Sequence, residues 1–222
     1  MTAHGFTLFD TVIGRCGIAW GGRGVVGVQL PEARELQTRA RVLQRFPDAR
    51  EAPPPPDVQR ALDGIVALLR GEASDLSAVA LDMDRVPPFH RCVYEVARGI
   101  GPGVTLSYGD IAARLGVPGS ARAVGQALGR NPFALVVPCH RVLAAGGKVG
   151  GFSANGGITT KLRLLSIEGG QVNLFKTREP PRRPGSASVR ANRARPTRRS
   201  RTFSAARAAR SGHCRAPGRK RS

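Results

Sequence analysis

The chain has 222 residues, room for one ordinary domain or two small ones, and 41% of them are hydrophobic, enough for a packed core. The formal charge of +20 is uneven: residues 176–222 hold 16 Lys and Arg against one acid, Glu179, which leaves +5 for residues 1–175. The apolar runs are too short to span a bilayer and no basic stretch followed by a long apolar run is visible near Met1 to Asp10, so neither a membrane helix nor a signal peptide is expected, and a cytoplasmic location is.

Short strands are predicted over 6–13, 16–20 and 25–30, separated by glycine turns such as Gly21-Gly22-Arg23-Gly24. A helix is expected over 31–46. A proline connector at 53–56 leads to a second helix with Asp57 as its N-cap and Val58, Leu62, Ile65 and Leu69 on one face. Val79, Leu81 and Met83 alternate as a closing strand would. Pro87-Pro88 marks a boundary, after which Phe89, Val93, Val96 and Ile100 repeat at helical spacing. The fold class is therefore α+β: a small α/β unit over 1–84, then a mainly helical unit over 85–172. Residues 173–222 are Arg, Ala, Pro and Ser without an apolar period; such a segment cannot offset its ordering entropy by burial, and a disordered basic tail is expected.

Within the second unit, Ser107 can cap a helix over 108–115. Gly116-Val117-Pro118-Gly119 turns the chain, Ser120 can cap a helix over 121–128, and Gly129 ends it. This is a helix-turn-helix plan. Val124, Ala127 and Leu128 share its inward face; Arg122, Gly125 and Gln126 share the other. Ala121, Ala123 and Gly125 are small enough for close approach to a backbone. Taken alone, the pattern leaves open a packing hairpin and a DNA-binding element.

The chemistry concentrates in Asn131-Pro132-Phe133-Ala134-Leu135-Val136-Val137-Pro138-Cys139-His140-Arg141. The apolar run over 133–137 should be buried, and Pro138 ends it, so Cys139 is presented beside a histidine at the end of a rigid segment. An ordinary thiol is mostly protonated at neutral pH; an imidazole polarised by a carboxylate can take its proton. The nearest plausible downstream carboxylate is Glu168, at the end of a helix over 159–167. An adjacent Cys-His pair alone also fits an inert core thiol. Cys16 and Cys92 are read as structural, and Cys214 receives no role. No Cys-x-x-Cys pair is present, so no zinc site is recognisable, and Gly21 to Gly24 lack a phosphate-binding motif; neither metal nor cofactor is expected.

This string resembles the active-site signature of the O6-alkylguanine-DNA alkyltransferases, whose core is Pro-Cys-His-Arg. Further matches follow in family order: Ser107-Tyr108, Ala121-Arg122-Ala123-Val124-Gly125, Gly151-Phe152-Ser153, and Lys161 through Glu168-Gly169. The resemblance is strong over 85–170 and weak over 6–84, where it implies a ribonuclease H-like domain. It implies that Cys139 takes an alkyl group from O6-alkylguanine, or O4-alkylthymine, in double-stranded DNA, irreversibly and once per molecule. His140 would accept the thiol proton through a water, with Glu168 orienting its ring. Tyr108 would be the acid toward the base, and the Asn131 amide would fix the turn. Val142, Ser153 and Gly150 would line the guanine pocket. The second helix would enter the minor groove, with Arg122 filling the gap left by a flipped nucleotide and Ser107, Ala121, Ala123, Gly125 and Gln126 near the DNA. A monomer is implied. Alkyltransferase-like proteins, which bind lesions without a reactive cysteine, are the alternative, and a Cys-His-Glu hydrolase is a more distant one.

Overall fold

Residues 3–169 are described by a computed structural model; the basic tail and Cys214 lie outside the described residues. Apolar residues alternating along the first thirty positions build an antiparallel meander. It consists of β1 (Gly5–Thr11), β2 (Gly14–Gly21) and β3 (Gly24–Gln29). A two-residue strand, β4 (Arg50–Glu51), joins β1 in parallel, giving the order β3-β2-β1-β4. The alternation gives the sheet two apolar faces. Phe6, Leu8, Ala19 and Val26 pack with Val42 of α1 (Glu35–Arg45) and with Phe46, which caps its C-terminus. Cys16, Ile18, Trp20 and Val25 pack instead on α2 (Pro56–Leu69) through Val58, Leu62 and Ile65. That second cluster runs on without a break into the C-terminal half, to Phe133, Val137 and Leu164. The chain is thus a mixed α+β protein.

Where boundaries differ from the sequence expectation, three have a visible cause. The first helix starts at Glu35 rather than residue 31, because Glu32 N–H donates to Thr38 Oγ1 (2.9 Å) and Arg34 N–H to Gln37 Oε1 (3.1 Å), which holds 31–34 as a capping turn. Asp57 is not an N-cap: Pro56 is already helical, since it needs no N–H partner there, and Asp57 lies in the first turn, where its charge suits the helix dipole. The closing strand around Leu81 shrinks to a single bridge with Val25. Asp82 ends the pairing because its carboxylate accepts from Asp84 N–H (3.1 Å) and turns the chain.

The second half holds α3 (Pro88–Arg98), α4 (Tyr108–Arg114), α5 (Ala121–Gly129) and α6 (Ile158–Ile167). Tyr94 Oη donates to Ala127 O (2.9 Å), tying α3 to α5. Ser107 caps α4, accepting from Asp110 N–H (3.1 Å) while Asp110 accepts from Ser107 N–H (2.7 Å). Ser120 makes no such side-chain bond to α5. Two short strands, β5 (Leu106–Ser107) and β6 (Val142–Leu143), pair in parallel and bring the start of α4 beside the chain that leaves Cys139-His140-Arg141. No described helix is long and apolar enough to cross a membrane.

Candidate active site

The run over 133–137 is buried as its composition requires, but it forms no strand; it folds back on itself. Val137 N–H reaches Phe133 O (2.8 Å) and Val136 N–H reaches Ala134 O (2.9 Å). Leu135 is held at φ 69°, a left-handed conformation that costs a leucine free energy and persists only where surroundings enforce it. The enforcing group is Asn131. Its Nδ2 donates to Val137 O (2.8 Å) and its Oδ1 accepts from Phe133 N–H (2.9 Å), clamping both ends of the fold-back. From outside, Val28 N–H of β3 donates to Pro132 O (2.9 Å), so the sheet edge braces the same loop. Cys139 follows in a one-turn helix over Cys139–Arg141.

Behind the cysteine lies a buried charged cluster. His140 is fully buried and its Nε2 lies 2.9 Å from Glu168 Oε1. Arg141 donates to both Glu168 oxygens, from Nε (2.9 Å) and Nη2 (2.8 Å), and its Nη1 reaches Ile100 O. Burial works against the Glu168 charge, yet hydrogen bonds from His140 and Arg141 outweigh it and hold the carboxylate pKa at about 2. An ionised carboxylate only accepts, so His140 donates from Nε2 and its free lone pair is on Nδ1. Among the described residues, Nδ1 is buried without a hydrogen-bond partner. Burial drives the His140 pKa below its ordinary value, with Glu168 opposing. Burial also raises the Cys139 thiol; the Asn131 amide, the Lys161 ammonium and backbone N–H groups pull it back in part. The resting pair is therefore a neutral thiol and a neutral imidazole backed by a carboxylate.

Tyr108 opens α4 half-buried, and its pKa is raised by burial and then by Cys139, so its hydroxyl stays protonated. Gly150 lies against that hydroxyl: a Cβ there would come within 3.1 Å of Tyr108 Oη. Val142 is fully buried, and its carbonyl is taken by Lys161 Nζ at 2.6 Å. Ser153 is exposed, on the wall of a cavity of about 430 Å³ that Cys139, Asn131, Ala134 and Phe152 also line. Tyr108, Val142 and Gly150 do not line it. On α5, Arg122 and Gln126 are exposed and Ala121, Ala123 and Gly125 half-buried, while Ser107 is engaged as the α4 cap.

The fold thus gathers Cys139, His140, Glu168, Asn131 and Tyr108 from four separate elements, and leaves the α5 residues on an outer face. The sequence reading gave Lys161 no role, although it is fully buried and its charge acts on Cys139. Its signal was available: it shares the buried face of α6 with Leu164 and Leu165, where a lysine is out of place.

A half-buried thiol backed by His and Glu, with a protonated phenol near it, is the arrangement of a protein with a reactive cysteine. Residues 88–170 match the family described as 6-O-methylguanine DNA methyltransferase, DNA binding domain. Methylated-DNA–protein-cysteine methyltransferase of Methanothermobacter thermautotrophicus is 37% identical over 153 residues, 69% of this chain and 78% of that one. Its counterpart from Mycobacterium bovis is 44% identical over 116 residues, 52% of this chain and 68% of that one. The crystal structure of Mycobacterium tuberculosis OGT in complex with DNA is 34% identical, with a TM-score of 0.56 over 73% of this chain and 91% of that one. The chain belongs to the methylated-DNA–protein-cysteine methyltransferase family.

Proposed function

We propose that this protein repairs DNA by transferring the alkyl group of O6-alkylguanine, and of O4-alkylthymine, to Cys139. The observation that carries the reading is the Cys139–His140–Glu168 arrangement, in which the one nitrogen open to a proton, His140 Nδ1, belongs to an imidazole whose other nitrogen is committed to a carboxylate held ionised. No hydrogen bond joins Nδ1 to Sγ, so the thiol proton crosses on a water molecule. The imidazolium then formed pairs with Glu168, which repays the cost of charging a buried ring. The thiolate sulfur attacks the alkyl carbon in line; the S–C bond forms as the C–O6 bond breaks, and the electron pair leaves with guanine. Tyr108 donates a proton toward the departing base. Asn131 and Lys161 act on the sulfur: the first fixes its loop, and the second lowers the cost of its negative charge. The thioether is not hydrolysed, so each molecule acts once, without metal or cofactor.

The lesion must leave the stack for its alkyl carbon to reach the half-buried Cys139. In this reading α4, its turn and α5 act as a helix-turn-helix whose second helix lies in the minor groove of double-stranded DNA. Arg122 occupies the place of the flipped nucleotide, and Ala121, Ala123, Gly125, Gln126 and Ser107 lie along the backbone; the exposure of Arg122 and Gln126 beside small residues supports it. Gly150, Ser153 and the Val142 region hold the purine. The sheet with its parallel fourth strand is taken as ribonuclease H-like, the units as 1–84 and 85–172, and the acting form as a monomer in the cytoplasm.

The test mixes the protein with a duplex carrying O6-methylguanine and maps the product by mass spectrometry. One methyl on the Cys139 peptide, stopping at one equivalent, is expected; Cys139→Ala should abolish it and leave duplex affinity within about threefold, because the thiol adds little contact area. Tight binding with no mass change would make the protein a lesion reader instead.

A further inference from the structure

The proposed mechanism uses one phenol, Tyr108, and leaves another unused. Tyr94 is buried in the middle of α3, and burial keeps its hydroxyl protonated. The helix that carries it is fixed at both ends. Near its start Arg91 Nε donates to Val86 O (2.8 Å), and at its end Arg98 Nη2 donates to Leu76 O (3.2 Å) and Val79 O (2.8 Å). From this fixed post Tyr94 reaches the last turn of α5. In a longer helix Ala127 O would bind the N–H of residue 131. Instead it accepts from Arg130 N–H (3.1 Å) and from Tyr94 Oη (2.9 Å), while Asn131 N–H turns to Leu128 O (3.2 Å). The helix therefore stops at Gly129, and Asn131 leaves it in a set direction. The Tyr94 ring also meets Phe133 nearly at right angles, with centroids 6.3 Å apart. Phe133 is the residue whose N–H the Asn131 amide holds. Tyr94 thus touches the chain on both sides of the Asn131 clamp, the helix before it and the fold-back after it.

Those contacts matter because α5 and the nucleophile's loop are one continuous chain. In the proposed complex Arg122 stands in the duplex at the first turn of α5, and Ala127 lies about 7.5 Å further along the axis. A push on Arg122 is carried down the helix to Asn131, and through its amide to Val137 O and the segment that presents Cys139. In-line displacement tolerates little of this: a misplacement of about 1 Å can cost about a hundredfold in rate. Resting on the proposed transfer reaction with α5 as the helix that meets DNA, we infer that Tyr94 is a positioning residue. It pins the end of α5 to α3, so that the Asn131 clamp keeps Cys139 in line while the duplex loads the helix. In the free protein nothing presses on α5, and the two bonds of the clamp hold the loop unaided. The Tyr94 hydroxyl is committed to Ala127 O and acts on the sulfur only through Asn131.

The test is Tyr94→Phe, which keeps the ring on Phe133 and strands no polar group, because Ala127 O retains Arg130 N–H. Three quantities are measured on the full chain: affinity for undamaged duplex, the single-turnover transfer rate from O6-methylguanine duplex at saturating protein, and alkylation of Cys139 by iodoacetamide without DNA, read on the Cys139 peptide by mass spectrometry. The transfer rate should fall about tenfold, since the loaded helix can now shift. Affinity should stay within about threefold of native, because a buried phenol meets neither phosphate nor base. The iodoacetamide rate should stay within about twofold, because the resting thiol is unchanged. An unchanged transfer rate overturns the role. So do equal losses of transfer and iodoacetamide reactivity, which would mean that the hydroxyl only shapes the resting loop. A loss of affinity with the saturated rate intact overturns it as well, and leaves Tyr94 a support for binding alone. If the native protein itself transfers no methyl, the functional reading falls and this role with it.

Discussion

The resting Cys139 thiol is protonated because burial opposes its charge, so the proposed reaction requires His140 to be neutral when lesion arrives. Burial holds the His140 pKa below the ordinary 6.5, so the competent neutral ring survives as pH falls through the usual histidine range and is lost only below it. Tyr108 is pushed the other way and stays a proton donor into alkaline solution. The transfer rate should therefore stay flat from about pH 7 to pH 9 and fall only on the acid side of the ordinary histidine range. An acid limb with its midpoint near pH 7, measured by rapid quench, would contradict the assignment of His140. Glu168 gives a second prediction. Its folded pKa of about 2 lies below the ordinary carboxylate value, so its contribution to stability is present above about pH 5 and lost as pH falls toward 2, on the order of 3 kcal/mol. Its side chain is 3% exposed, so solvent screening is slight. Glu168→Gln should lower stability by about 3 kcal/mol at pH 7 in urea unfolding, since it strands Arg141, and the variant's stability should vary less between pH 5 and pH 3 than the native protein's. At this scale the Cys139-His140 pair is legible because proline and an apolar run isolate it in the sequence. Lys161 carries a fainter signal, because helical periodicity registers a polar residue on the wrong face only after the face is known.

Among the elements, those that hold the site are short, and their cohesion lies in backbone bonds no periodicity reveals. The β5–β6 pair spans two residues on each side, yet it sets Tyr108 against the nucleophile's exit. Likewise the run over 133–137 reads only as a buried apolar segment; what folds it back is one amide, Asn131, acting on Val137 O and Phe133 N–H. The long strands and helices were readable from alternation and helical spacing, and the errors fell at their ends, where Thr38, Gln37 and Asp82 side chains compete for backbone groups. Gly24 shows how tightly the meander depends on such a point. It has φ of +120°, and a Cβ there would come within 2.4 Å of Ala80 O, a backbone atom that cannot swing aside. Gly24→Ala should therefore cost about 2–3 kcal/mol in thermal or urea unfolding. A loss under about 0.5 kcal/mol would show that the β2–β3 turn can relax away from the bridge at Leu81.

Across the whole molecule, one apolar cluster joins the sheet, α2, α3, α5 and the Cys139 loop, so the N-terminal half braces the reactive half through Val28 and Pro132 as well as by packing. That arrangement was only half visible in the sequence. Pro87-Pro88 divides the pattern into two units, but nothing in a pattern tells that β3 runs beside the nucleophile's loop or that α1 closes a cavity next to the sulfur. Charge is distributed on a different principle. The first 175 residues carry +5, and residues 176–222 carry the remaining +15. A repair protein that acts once at a rare lesion must search much undamaged DNA, and each phosphate neutralised by a cation releases counterions, which steepens the salt dependence of binding by about 0.9 in logarithmic slope. Deleting residues 173–222 should therefore flatten the plot of log affinity against log salt for undamaged duplex by about 4 or more, if even five of the sixteen cations meet phosphates. The single-turnover rate from lesion already saturated with protein should stay within about twofold, because every reacting group lies before residue 170. Fluorescence anisotropy between 50 and 300 mM salt supplies the slopes, and an unchanged slope would assign the terminal charge to something other than the search.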